Sequence, residues 1–304
     1  MPTLSSLAAT VCALVAAPLL FGIVNRTKSF IAGRRGPPLL QLYWDVAKYL
    51  HRGVVYGETT SLIFRLGPVV ALAVTVAALL VLPLGGIGAP LPFTGDLVVL
   101  TGLLALGRFA TVLAALDTGS SFEGMGASRE MHFAALAEPA LLLALATLAQ
   151  TTRSLSLTPI YQEINAAAWI GALPTFALTA MTLLVLTLVE NTRIPVDDPT
   201  THLELTMIHE VMVLDHSGPD LGYIHYAAAL KFWITGSLLI GLLVPVRSGI
   251  FWLDLTAMLS GFVGLAVAVG IIESTMARYR LDHVPQFIVG AATVSAVAFI
   301  IRMV

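Results

Sequence analysis

The sequence has one cysteine, Cys12. A single thiol cannot close an internal disulfide, and it cannot ligate an iron–sulfur or [NiFe] centre, which takes several thiolates. No cofactor-ligating set is visible in this chain, so any redox chemistry connected with it is expected in partner chains. Charge is also scarce: Asp, Glu, Lys and Arg make up 11% of 304 residues, and the net charge of -2 says little about partners. The sequence has neither a Walker A segment nor a GxGxxG run, which argues against nucleotide binding by those motifs. Nothing suggests nucleic acid. The start, MPTLSS, lacks the basic n-region of a signal peptide. No Ser–His or Asp–Asp pair at depth suggests an intramembrane protease, and the "GASRE" segment at 126–130 is too short to carry a serine nucleophile.

Long apolar runs are abundant. The chain is 57% hydrophobic with a mean hydropathy of +0.89, too apolar for a soluble globule. Eight stretches are long enough to cross a bilayer core, near 4–24, 64–84, 97–117, 133–152, 170–190, 225–246, 251–273 and 286–303. The expected fold is all-α: one polytopic membrane bundle of about eight transmembrane helices over 1–304. Its two long connections are a basic loop at 25–63 and an acidic loop at 191–224. Cations concentrate in alternate loops: Arg26, Lys28, Arg34, Arg35, Lys48, Arg52, Arg65, Arg129, Arg193, Arg278 and Arg280 lie on one side, Arg153, Arg247 and Arg302 on the other. The positive-inside rule makes the first side cytoplasmic and puts both termini outside.

Residues 38–50, "PLLQLYWDVAKYL", have a different pattern. Leu39, Leu40, Tyr43, Trp44, Ala47 and Leu50 recur at helical spacing, while Gln41, Asp45 and Lys48 fall on the opposite stripe. Pro37 and Pro38 start the segment. The pattern predicts an amphipathic helix lying in contact with lipid at the membrane interface; an ordinary loop helix packed on the bundle is the alternative.

Charges inside spans are the sharper signal. Arg108, Glu138 and Lys231 sit within apolar runs. Even the mildest scales put a mid-bilayer charge at about 2.5–3.5 kcal/mol, so such residues face a partner or a wet cavity. Structural ion pairs are one reading and a proton path the other. The stretch "ENTRIPVDDPTTHLELTMIHE" adds Glu190, Asp197, Asp198, Glu204 and Glu210, with Asp215 just beyond. The bland reading of these acids is a solvated docking face. The functional reading makes them proton-exchanging groups, because carboxylates clustered in low dielectric titrate as a set. His202, His209, His216 and His225 stand beside them, but their spacing matches no standard metal motif. Asp96, on the other side, reads as an uninvolved surface acid.

Several segments in order resemble subunit 1 of respiratory complex I and its counterpart in membrane-bound [NiFe] hydrogenases. They are Gly36–Pro37 followed by Gln41, Asp45 and Lys48; Arg129 with Glu138; "E-x-x-R-x-P-x-D" at Glu190, Arg193, Pro195 and Asp197; Glu204–Leu205; and "RYRLD" from Arg278 to Asp282. The chain departs from complex I at Thr200 and His202, where further glutamates are expected, and at span six, where Lys231 stands near the position of a glutamate. "THLELTMIHEVMVLDHSG" is closer to the hydrogenase-4 or formate-hydrogenlyase type.

The resemblance implies a non-catalytic subunit of a prokaryotic inner-membrane oxidoreductase complex. Such a subunit would anchor a peripheral arm carrying iron–sulfur and [NiFe]-type subunits and link it to antiporter-like membrane subunits. It also puts the acidic loop under that arm, at the start of a lateral proton path; with the charges inside spans, the candidate path residues are Arg108, Glu138, Glu190, Asp197, Asp198, Glu204, Glu210, Asp215 and Lys231. Arg34, Arg35, Arg129, Arg193, Arg278, Arg280 and Asp282 would serve as charge partners or arm contacts. A quinone-chamber subunit and a stand-alone secondary transporter are the alternatives; the sequence shows no internal repeat of the kind many transporters carry.

Overall fold

The computed structural model describes residues 3–197 and 207–303. Among these the regular elements are twelve helices: α1 (Leu4–Ile31), α2 (Gln41–Leu50), α3 (Leu62–Val81), α4 (Asp96–Asp117), α5 (Ser121–Thr152), α6 (Leu157–Glu163), α7 (Ala166–Gly171), α8 (Leu173–Glu190), α9 (His209–Met212), α10 (Gly218–Leu243), α11 (Phe251–Thr275) and α12 (Val284–Met303). Eight of them, α1, α3, α4, α5, α8, α10, α11 and α12, are long and apolar enough to span a bilayer. The count matches the sequence-based expectation. Boundaries differ most at the fourth span, where α5 begins at Ser121 rather than near 133 and so carries Arg129 and Glu130 inside the helix.

Span ends alternate between two faces. One face holds the loops after α1, α4, α8 and α11, and thus most of the chain's cations and its acidic segment. The other holds the short helices α6 and α7. At the centre stands α10, the most buried span, which packs against α1, α2, α3, α8 and α11. Trp233 of α10 stacks on Phe262 of α11 at 3.9 Å between centroids. Between α3 and α4 the backbones come close: a Cβ on Gly67 would sit 2.6 Å from the Cβ of Ala114. A small residue at such a crossing allows the tight packing that holds membrane helices together.

The amphipathic segment forms α2, where no residue is fully buried, and it lies against α10 and α1. Trp44 is exposed, as a side chain facing the interface would be.

Asp96 departs from expectation. It is fully buried, accepting hydrogen bonds from the Leu157 backbone N–H and the Ser156 hydroxyl, each at 2.7 Å. It caps the start of α6, whose first N–H groups have no helical partner of their own.

Candidate functional site

The length of α8 decides where the site lies. This helix has 18 residues against 32 in α5, and it ends at Glu190. Glu190 nevertheless meets Arg108, which is nine residues, about 13 Å of helix, inside the end of α4 at Asp117. The chain after α8 therefore starts well below the ends of its neighbours. Residues 193–197 are buried: Arg193 is 8% exposed and Asp197 3%. Irregular backbone at membrane depth is tolerated where protein encloses it.

Arg108 gathers three carboxylates. Its Nη2 donates to both oxygens of Glu190 at 2.6 Å. Its Nη1 donates to Glu138. Its Nε lies 3.3 Å from Glu130 Oε1. From α10, Lys231 Nζ reaches the other side of Glu190 at 3.1 Å. Five ionisable groups from four spans thus meet, two cations against three acids. If all are ionised, the cluster has one negative charge in excess, and binding one proton balances it.

The cluster has two open sides. A cavity of about 790 Å³, mouth included, is lined by Phe21, Thr75, Glu130, Glu190, His209 and Lys231 among others. Arg108 and Glu190 also line a second groove of about 600 Å³ between α4 and α5, past Thr101, Gly102 and Glu138. The Glu138 side chain is 42% exposed there, whereas that of Glu190 is 3% exposed. The ion-paired Glu138 therefore looks outward from the bundle at mid-span.

Two further ion clusters lie along the segment after α8. Arg193 meets Glu273 of α11 at 3.2 Å and lies over the Phe21 ring at 4.4 Å. Lys28 of α1 contacts the other Glu273 oxygen at 2.8 Å. Asp197 pairs with Arg278 at 2.8 Å and accepts the Ile208 N–H at 3.1 Å. Arg129 donates to the Met207 carbonyl at 3.0 Å. Residues 190, 193 and 197 thus fasten one short segment to three separate charge groups.

The remaining expected site residues are placed differently. Asp215 is exposed, away from the Arg108 cluster, and its backbone N–H donates to Glu123. Glu210 stands on α9, next to His209. Arg34 and Arg35 are exposed on the basic loop, and Arg280 pairs with Asp282 at the surface at 3.3 Å. Asp198 and Glu204 lie outside the described residues. Sequence reasoning missed Glu130 and Glu273, and it counted Lys28 only as a loop cation. Among the described residues no group of three or more His, Cys, Asp or Glu side chains forms a metal-binding set.

The NADH dehydrogenase family model matches residues 4–304, and the chain belongs to that family. It is 32% identical over 277 residues to formate hydrogenlyase subunit 4 of Escherichia coli (strain K12), covering 89% of each chain. It is 33% identical over 282 residues to hydrogenase-4 component C of the same strain, covering 90% of this chain and 88% of that one. Its fold matches a chain of the membrane-bound sulfane sulfur reductase, an archaeal respiratory membrane complex, with a TM-score of 0.83, 21% identity and 98% coverage of both chains. The chain is thus a multi-pass membrane subunit related to subunits of hydrogenase complexes, the branch to which its own motifs point.

Proposed function

We propose that this chain is the membrane anchor of a complex I-like, hydrogenase-type complex. In this reading it carries protons from beneath the peripheral arm to neighbouring membrane subunits. The observation that carries the reading is the buried group of Arg108, Lys231, Glu130, Glu138 and Glu190, with an inner cavity on one side and an outward-facing acid on the other. A purely structural ion network gains stability from complete charge pairing; this one has an odd carboxylate, and its exit residue faces away from the bundle. Redox events in an arm above the Asp197–Arg278 region would shift the local field and bias proton occupancy below it.

The arm would bring iron–sulfur clusters and a [NiFe]-type site in chains of its own, since this one offers a single thiol. It would dock on the basic face, through Arg34, Arg35, Arg278 and Arg280. That face would be cytoplasmic, with both termini outside the inner membrane. The membrane partners would be antiporter-like subunits beside Glu138. Affinity purification through a tag on this chain, followed by metal analysis, tests the arrangement: iron and nickel should copurify in chains with several cysteines. Recovery of the chain in a membrane complex free of iron would refute it. Orientation is tested by thiol labelling in intact cells, where a cysteine at Ser156 should react from outside and one at Arg52 should not; the reverse pattern would overturn it.

A further inference from the structure

The ion pair between Glu190 and Lys231 needs something to set its register, since a lysine side chain is long, flexible and costly to hold in one place. The next residue along the chain supplies it. Asn191 follows the last residue of α8, where the final four carbonyls have no donor within the helix. Its side-chain amide provides one, donating to the Thr187 carbonyl at 2.7 Å. The same amide nitrogen reaches across to α10 and donates to the Thr235 hydroxyl at 2.9 Å. Thr235 is buried, and its own proton points back one turn, to the Lys231 carbonyl at 3.1 Å, with the Phe232 carbonyl 3.3 Å away. Lys231 Nζ then returns to Glu190 at 3.1 Å. Four residues thus close a ring of contacts between α8 and α10. The ring requires an amide with two donors and a hydroxyl that both accepts and donates, which Asn and Thr offer. Lys231 and Asn191 both line the inner cavity, and the Lys231 side chain is 21% exposed where that of Glu190 is 3% exposed.

We propose that Asn191 and Thr235 are positioning residues for proton entry: they hold Lys231 against Glu190, and Lys231 passes protons from the cavity to that buried carboxylate. In this step a proton leaves Lys231 Nζ for Glu190 Oε2, and the ammonium becomes a neutral amine. The amine then takes a proton from hydronium in the cavity and is an ammonium again. The cluster has gained the one proton that balances its charge. Of its two cations only Lys231 can do this, because a guanidinium stays protonated in proteins. A displacement of about 1 Å is enough to slow such a transfer roughly 100-fold, so the register of Lys231 matters to the rate. The inference rests on the proton-path reading above and assigns that path its entrance and the residues that hold it.

The test uses the assembled complex in proteoliposomes, with reduced methyl viologen as electron donor, and reads protons moved per electron. Lys231→Arg keeps the positive charge beside Glu190 and removes the transferable proton. Thr235→Val keeps the shape and removes the hydroxyl, whereas Thr235→Ser keeps the hydroxyl. Glu138→Gln is run beside them. Lys231→Arg and Thr235→Val should each lose at least about tenfold with electron transfer intact, and Thr235→Ser should keep the wild-type ratio. Adding Thr235→Val to Lys231→Arg should cost nothing more, because the hydroxyl acts through the lysine. A merely structural tie between α8 and α10 would give losses that add. Should Thr235→Val not assemble, Asn191→Leu removes the same hydrogen bond from the α8 side and gives the same readout. With coupling lost in Glu138→Gln, three results would overturn the inference alone: a wild-type ratio in Lys231→Arg or Thr235→Val, an equal loss in Thr235→Ser, or additive losses. A wild-type ratio in Glu138→Gln would overturn the path on which it rests.

Discussion

Arg108 and Glu190 approach from different helices, and one guanidinium nitrogen donates to both carboxylate oxygens at 2.6 Å. Charge-assisted hydrogen bonds of this length are the strong class. The same guanidinium also carries Glu138 and borders Glu130, so its removal changes the balance of the whole group. Arg108→Gln would leave Lys231 alone against three acids. Breaking a buried ion network from one side costs about 3–5 kcal/mol. Thermal unfolding in detergent should show Arg108→Gln strongly destabilised. Adding Glu138→Gln restores the original excess of one negative charge and should recover part of that loss. A double variant no more stable than Arg108→Gln would mean that Arg108 and Glu138 are energetically independent.

Among the described residues Glu273 is the one acid paired with both Arg193 and Lys28, and its side chain has no exposed area. Glu273→Gln would leave two cations facing each other at the point where the segment after α8 is fastened to α11 and α1. A loss of about 3–5 kcal/mol is expected, on the same argument as for Arg108. Limited proteolysis around residues 191–197 should accelerate in this variant and not in Asp282→Asn, whose acid is exposed and pairs with surface Arg280. Equal cleavage rates in the two variants would contradict the fastening role.

His216 gives the protein a pH dependence of known sign. Its ring stacks on Phe64 at 4.0 Å between centroids, only 4% of the residue is exposed, and burial pushes its pKa down to about 4. The folded state therefore holds it neutral, while the unfolded chain protonates it near pH 6.5. Its contribution to stability is fully present above about pH 6.5 and is lost as pH falls towards 4. A stability curve across that window should fall less steeply for His216→Phe, which keeps the stack without a titrating group. Identical slopes for the two proteins would contradict the assignment.

Much of this architecture is visible in the sequence because the bilayer sets strict rules. Eight apolar runs of spanning length give eight helices, and the stripe of Leu39, Tyr43 and Trp44 marks α2. Arg108 and Lys231 stand out because an ionisable group in an apolar run is expensive. Their partners are harder to see, since pairing depends on depth. The sequence lets Glu138 and Glu190 border one buried pocket, but nothing in the apolar pattern shows that α8 ends below its neighbours, so their pairing with Arg108 is not visible there. Glu130 falls in a polar extension of α5 that resembles a loop, and Glu273 lies near the end of its apolar run, where a charge looks unremarkable. Asp96 reads as a surface acid because the backbone N–H it caps is 61 residues away in sequence. Family resemblance found the loop motif but could not say that Arg193 reaches Glu273.

Glu138→Gln tests most directly whether the odd carboxylate moves protons. The exchange keeps shape and hydrogen bonding, and it leaves two cations against two acids, so the complex should assemble. Protons translocated per electron, measured in proteoliposomes at matched electron-transfer rate, should fall by at least about tenfold, the scale expected for loss of a proton-transfer group. An assembled Glu138→Gln complex that pumps at the wild-type ratio would show that the cluster is structural and would contradict the account.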